Sequence, residues 1–218
     1  TKSRLGPSDA AARTVYTDAP GTRWQAGSRA GLPTSLLDPA TEPGVSHEYD
    51  TRLDEAAIEQ TLALPTPAAL APQLLATHTT GEAVTGADGI AYTPTLSRLT
   101  DLGRTQLPDS RATRTSTVWK APSGTVRLTK SRLGPSDAAA RTVYTDAPGT
   151  RWQAGDRKER QTSLLDPATE PRVSYEYDTR LDEAAIERTL ALPTKAALER
   201  QLLATHTTGA PVTVEGLA

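Results

Sequence analysis

Two carboxylates stand two residues apart at Glu48 and Asp50, and again at Glu176 and Asp178. On a strand, residues i and i+2 share a face, so each pair sets two acids side by side. Such a pair can run acid–base chemistry when its surroundings push the two pKa values apart, and it suits a hard cation as well. These four residues are the candidate catalytic groups. The plainer reading is a solvated polar strand face with Arg180 beside it, because alternation alone accounts for the spacing. The three histidines offer less. His78 and His206 occupy the same "THTTG" context, while Tyr175 replaces His47 in the matching stretch. A metal site needs several converging ligands. No second His or Cys lies nearby in sequence, so neither metal nor cofactor is expected.

Two further features carry weaker signals. "RLGPSDA" (4–10 and 132–138) places Ser and Asp after Gly-Pro. It lacks the Gly-x-Ser-x-Gly elbow of hydrolases and reads as turn and cap chemistry. Trp24 beside Arg23, and Trp152 beside Arg151, are candidate ligand-binding pairs for a sugar or peptide. In a chain without Phe, those indoles also serve as the main core payload, and the core reading is favoured. No phosphate-binding Gly-rich loop occurs.

The elements that must position these groups come in duplicate. "RTVYTDAPGTRWQAG" runs over 13–27 and again over 141–155. Aligning 1–85 with 129–213 leaves 72 of 85 positions identical. The chain therefore reads as a tandem-repeat array of ~128-residue units, 1–128 complete and 129–218 truncated, cut from a longer protein. Long periods of this kind mean stacked or strung modules whose faces are buried against neighbours.

Within a unit the pattern is mainly β: strand and hairpin repeats with short helices. "VSYEYDTRL" (173–181) alternates without a break, which predicts a half-buried strand. Val173, Tyr177 and Leu181 are expected inside, with Glu176, Asp178 and Arg180 outside. "TVRLTKSRL", "ARTVYTD" and "TRTSTVWKA" are further strand candidates bounded by Gly or Pro. "TKAALERQLLATH" (194–206) predicts a short amphipathic helix capped by Thr194, and "AIERTLALP" (185–193) is either strand or a helical turn. Pro72 is expected to break the corresponding helix in the first copy.

"YEYDTRL" (175–181) resembles the YD repeats of RHS-type proteins, and "VYTDAPGTRW", "WKAPSGTVRLT" and "AYTPTLSRLTDLGRT" resemble them more loosely. The resemblance implies β-hairpin strips that wind into a large shell, used to enclose a toxin or as a surface scaffold.

Composition narrows the function classes. The 24 basic and 26 acidic side chains nearly balance, so there is no footprint for nucleic acid and no polybasic run for a membrane surface. No apolar stretch approaches the ~20 residues that cross a bilayer, and no secretory-leader pattern is present. Cys is absent, which removes disulfides and thiolate chemistry. Leu, Val and Ile make up only 37 of 218 residues. A chain with so thin a core can still fold if it is extended and buries its faces against neighbouring repeats.

The expectation is a non-enzymatic structural or binding repeat array of a larger surface or secreted protein. Its partners would be neighbouring repeat units or further copies of itself, and a protein or carbohydrate ligand. A tandemly duplicated β-domain hydrolase using the paired carboxylates is the alternative, and an engineered duplicated scaffold is a third. One asymmetry bears on the first reading. From first copy to second, nine neutral positions gain a charge, among them Leu32 to Arg160 and Ala71 to Glu199. Stacked repeats would explain the bias if the second copy is a solvated end unit, with Leu32 and Ala71 nearer a contact surface.

Overall fold

The computed structural model describes residues 1–6, 12–107 and 113–209. The mainly β expectation holds: the strands form one antiparallel sheet, joined by a few short helices. In chain order the first half supplies β1 (Lys2–Leu5), β2 (Arg13–Thr17), β3 (Arg23–Arg29), β4 (Leu32–Asp38), β5 (Val45–Tyr49) and β6 (Leu74–Thr80). Helices α1 (Glu55–Thr61) and α2 (Pro67–Leu70) lie between β5 and β6. The two-residue β7 (Val84–Thr85), then β8 (Ala91–Leu99), α3 (Asp101–Gln106) and β9 (Thr113–Lys120) come next. After them run β10 (Val126–Leu133), β11 (Arg141–Asp146), β12 (Arg151–Arg157), β13 (Arg160–Asp166), β14 (Val173–Tyr177), α4 (Glu183–Thr189) and β15 (Leu202–Thr207). Neighbours in the sheet follow chain order from β1 to β15, with β7 set aside on β8.

Packing divides the chain into two compact units. One comprises Thr1–Ala83, Thr93–Val118 and Ser131–Ala140; the other comprises Val84–Tyr92, Trp119–Lys130 and the chain from Arg141 onward. These boundaries fall elsewhere than the 128/129 boundary of the sequence duplication.

In the first unit the core is an aromatic rung across strands. Tyr16 on β2 faces Trp24 on β3, which faces Leu37 on β4. Tyr49 closes on Trp24 with ring centroids 5.9 Å apart, and Ile58 of α1 joins the same buried cluster. Helix α1 is fixed over this cluster by its caps and its acids. Asp54 accepts from the Ala57 amide, the N-cap role its short acidic side chain suits. Glu55 and Glu59 both meet Lys2, and the Tyr16 hydroxyl donates to Glu59 at 2.7 Å. In the second unit Tyr144, Trp152, Leu165 and Tyr177 build the corresponding cluster, with Trp152 and Tyr177 centroids 5.8 Å apart. Lys130, Glu183, Glu187 and Tyr144 repeat the clamp. Burial, and then the hydrogen bond to Glu187, pushes the Tyr144 hydroxyl far above its usual range.

Four sequence expectations are corrected. The strand expected over 173–181 stops at Tyr177. Its pairing with β15 carries a bulge between Glu176 and Tyr177, and the chain bends at Asp178. Buried Ser163 donates to the Thr179 carbonyl at 2.8 Å and holds that bend, and Asp182 then caps α4. Glu176, expected outside, is buried. The helix expected over 194–206 is a 3₁₀ turn at Ala196–Gln201 followed by strand β15. The Leu-Leu-Ala-Thr-His run pairs with β14, and that tertiary ladder overrides helix propensity. In the first copy α2 ends at Leu70, and a 3₁₀ turn carries Pro72. Finally, Leu32 and Ala71 are exposed, as are Arg160 and Glu199, so exposure does not separate the two copies at these positions. Two of the gained charges instead find local partners. Arg160 meets Asp178 at 3.3 Å, and Lys195 meets the Tyr175 hydroxyl at 2.6 Å.

The β3–β4 hairpin turns on two residues, since Arg29 pairs with Leu32. A I′-type turn needs positive φ at both, and Ala30 and Gly31 have φ 47° and 81°. The matching β12–β13 turn places Lys158 and Glu159 at φ 47° and 63°. Arg172 likewise sits at φ 67° where the first copy has Gly44. Left-handed backbone at a residue with a Cβ costs on the order of 1–2 kcal/mol. Glu159→Gly and Arg172→Gly are each expected to raise unfolding free energy by about 1 kcal/mol in denaturant titration. The buried Tyr177 hydroxyl has no hydrogen-bond partner among the described residues. Tyr177→Phe is expected to be neutral or to stabilise by about 1 kcal/mol in the same assay.

Candidate functional site

On the sheet face opposite the aromatic rung, β5 turns Glu48 into the sheet surface. Glu48 pairs with Leu36 on β4 and with Ala76 on β6, and it is only 5% exposed. Its carboxylate gathers three side chains. Arg29, from the end of β3, donates to Oε2 at 2.7 Å. Thr34 on β4 donates to Oε1 at 3.2 Å. His78 on β6 places Nε2 3.2 Å from Oε2. The other ring nitrogen, Nδ1, lies 2.8 Å from Ser97 Oγ on β8. Gly27, opposite Thr34, keeps the surface close: a Cβ there would sit 3.0 Å from the Thr34 hydroxyl.

The second unit repeats the arrangement up to its histidine. Glu176 takes Arg157 at 2.9 Å, Thr162 at 3.3 Å and His206 Nε2 at 3.1 Å. Burial alone would raise both carboxyls. The hydrogen bonds from His78 and Arg29 outweigh it at Glu48, and those from His206 and Arg157 outweigh it at Glu176, so both are held below the ordinary 4.5. A buried acid stays charged here because it is paired with cations and hydrogen-bonded on both oxygens.

The paired carboxylates therefore part company. Glu48 and Glu176 are buried in these networks. Asp50 and Asp178 lie past the bulge, where their amides donate to the Gln73 and Gln201 carbonyls, and Asp178 is exposed beside Arg160. Trp24 and Trp152 are buried, while Arg23 and Arg151 approach Asp38 and Asp166 at 3.8 and 3.9 Å. His47 lies 3.5 Å from Glu42 at the ion-pair atoms and near Tyr49, apart from His78. In "RLGPSDA", residues 7–10 lie outside the described residues; in the second copy Ser136 accepts from the Ala139 amide, as a turn residue. Among the described residues no group of three His, Cys, Asp or Glu side chains converges as a metal site.

Sequence reasoning missed Arg29, Thr34 and Ser97. The first two reach Glu48 only through the β3–β4 hairpin register. Ser97 has no local signature, since its role depends on β8 lying beside β6. No protein-family model, curated protein or solved structure matches the chain.

What the network does for stability follows from its sign. A folded-state pKa below the unfolded value contributes stability that is present above the unfolded pKa and lost as pH falls through the folded one. Stability is therefore expected to drop as pH falls below about 4.5. Glu48→Gln is expected to cost about 2 kcal/mol at neutral pH and to flatten this acid slope, measured by denaturant titration across pH.

Proposed function

We propose that the chain is a non-enzymatic structural or binding repeat array, built of ~128-residue units and belonging to a larger surface or secreted protein. The observation that carries the reading is the recurrence of one hairpin ladder 128 positions on. The β2–β6 registers, including the bulge beside Glu48, reappear in β11–β15 pair for pair where both are described. A strip whose strands pair in chain order lengthens by adding hairpins, and its work is presentation, enclosure or multivalent contact. The partners proposed are neighbouring units, further copies of the chain, or a protein or carbohydrate ligand. A YD-repeat shell is the more specific form of this reading and rests on the motif residues 175–181.

One observation favours a hydrolase-like second reading. Ser97, His78 and Glu48 form a hydrogen-bonded chain of hydroxyl, imidazole and carboxylate. In a catalytic triad such a chain activates the hydroxyl. Against it, Glu48 is already neutralised by Arg29, and Glu176 and His206 repeat the pairing with Arg157 in place. A salt-bridged, hydrogen-bonded strut is what both copies share.

The test is turnover of chromogenic ester, amide, glycoside and phosphate substrates by the purified chain, with and without divalent cations. No turnover above buffer is expected. Turnover that Ser97→Ala, His78→Ala or Glu48→Gln abolishes would replace the array reading with the enzymatic one.

A further inference from the structure

The octapeptide "LLATHTTG" occurs twice, at 74–81 and 202–209, and its backbone pairing differs on one side. Toward β5 and β14 the ladders match: Val45 pairs with Thr79 as Val173 pairs with Thr207, and both carry the bulge that skips one Leu. On the other side β6 is covered. Ala76 pairs with Leu99, His78 with Ser97 and Thr80 with Thr95 on β8. The Thr100 hydroxyl and amide then bond the Leu75 carbonyl at 3.1 and 2.9 Å, and the same hydroxyl caps α3 through the Gly103 amide. Gly103 lies so close that a Cβ would collide with that carbonyl oxygen. Ala76, Leu99 and Leu107 close a small buried cluster. Under this cover Leu75 is 0% exposed.

Among the described residues β15 is last in the strand order and has only β14 beside it. Leu203, the counterpart of Leu75, is 46% exposed, and Leu202 is 41% exposed. His206 is exposed, whereas His78 is half-buried. A strand with one open edge and two uncovered leucines is a template for strand addition.

We propose that the open edge of β15 is a docking site for a strand–helix segment with the chemistry of residues 93–107, bound antiparallel in the register β8 uses on β6. The occupant places Leu opposite Ala204 and Ser opposite His206. A Thr then bonds the Leu203 carbonyl, and a Gly three residues later lets the helical turn lie against it. Residues 93–107 are themselves engaged on β6, so the occupant is a further copy of that segment. The identical receptor sequence, already wearing this cover once in the same molecule, is what selects this partner over an arbitrary apolar strand. The inference deepens the array reading and rests on it only for the origin of the partner. Its test needs no array to form, so a negative result removes the partner and leaves the hairpin strip standing.

The experiment titrates the full chain into a fluorescein-labelled, end-blocked peptide of residues 93–107 and reads anisotropy, with amide hydrogen exchange on the complex. Saturable one-to-one binding and slowed exchange within 202–207 are expected. A peptide carrying Gly103→Val should bind at least about tenfold more weakly, as should the Leu203→Asp chain with the unaltered peptide. The peptide comparison stands alone if the Leu203→Asp chain does not fold. No saturable binding, equal affinity for the Gly103→Val peptide, or protection elsewhere would overturn the proposal. So would self-association through β15 that the peptide fails to displace, read by sedimentation.

Discussion

Trp24 lies between Tyr16 on one neighbouring strand and Leu37 on the other, with Tyr49 and Ile58 closing over it. Trp152 has the same company of Tyr144, Leu165, Tyr177 and Ile186. In a chain without Phe, Met or Cys, few side chains can remove much apolar surface from water. A buried Trp removes about 150–250 Å², a gross gain on the order of 4–6 kcal/mol before entropy is counted. The remaining features are arranged around that need. The β2–β3–β4 register brings the aromatic rung together. Helix α1, seven residues long, buries little besides Ile58 and would not persist without the cluster beneath it. The Lys2–Glu55–Glu59–Tyr16 clamp ties the helix to the sheet at the Tyr16 end of the rung.

The opposite face solves a different problem. A charged residue in the middle of a sheet is costly unless both carboxylate oxygens are satisfied. Arg29, Thr34 and His78 supply those bonds to Glu48, and each comes from a different strand. A one-residue slip of any strand would move its contributor to the other face. The buried acid thus makes the register of four strands interdependent, while the aromatic rung supplies most of the burial. The short β5, five residues and then a bulge, serves both faces at once, with His47 and Tyr49 toward the rung and Glu48 toward Arg29 and His78.

The two copies show how far local sequence decides environment. Where neighbours are repeated, the same residues reproduce the same contacts: Trp24–Tyr49 and Trp152–Tyr177 differ by 0.1 Å in centroid separation, 5.9 against 5.8 Å. Where a residue changes, its partner's contacts change too. The counterpart of Pro67 is Lys195, whose ammonium lies 4.0 Å from the ring centroid of Tyr175, the residue that stands in place of His47. Where neighbours are not repeated, identical residues part company, as Leu75 and Leu203 do.

The sequence by itself determined the mainly β character, the duplication of the Trp-centred stretch and the absence of thiol chemistry. It located β9, β10 and β11 to within a residue or so, because Thr-rich and alternating runs bounded by Gly or Pro are signals carried in consecutive residues. Tertiary structure alone decided that Glu48 and Glu176 go inside, that the alternating run over 173–181 breaks at Tyr177, and that "LLATH" is strand. It also decided that Ser97 meets His78. Each of these depends on a partner 14 to 30 positions away, reached through hairpin register. A half-buried polar face and a solvated one have the same period of two. Only the arrival of Arg29, Thr34 and His78 over the carboxylate makes the buried choice the stable one.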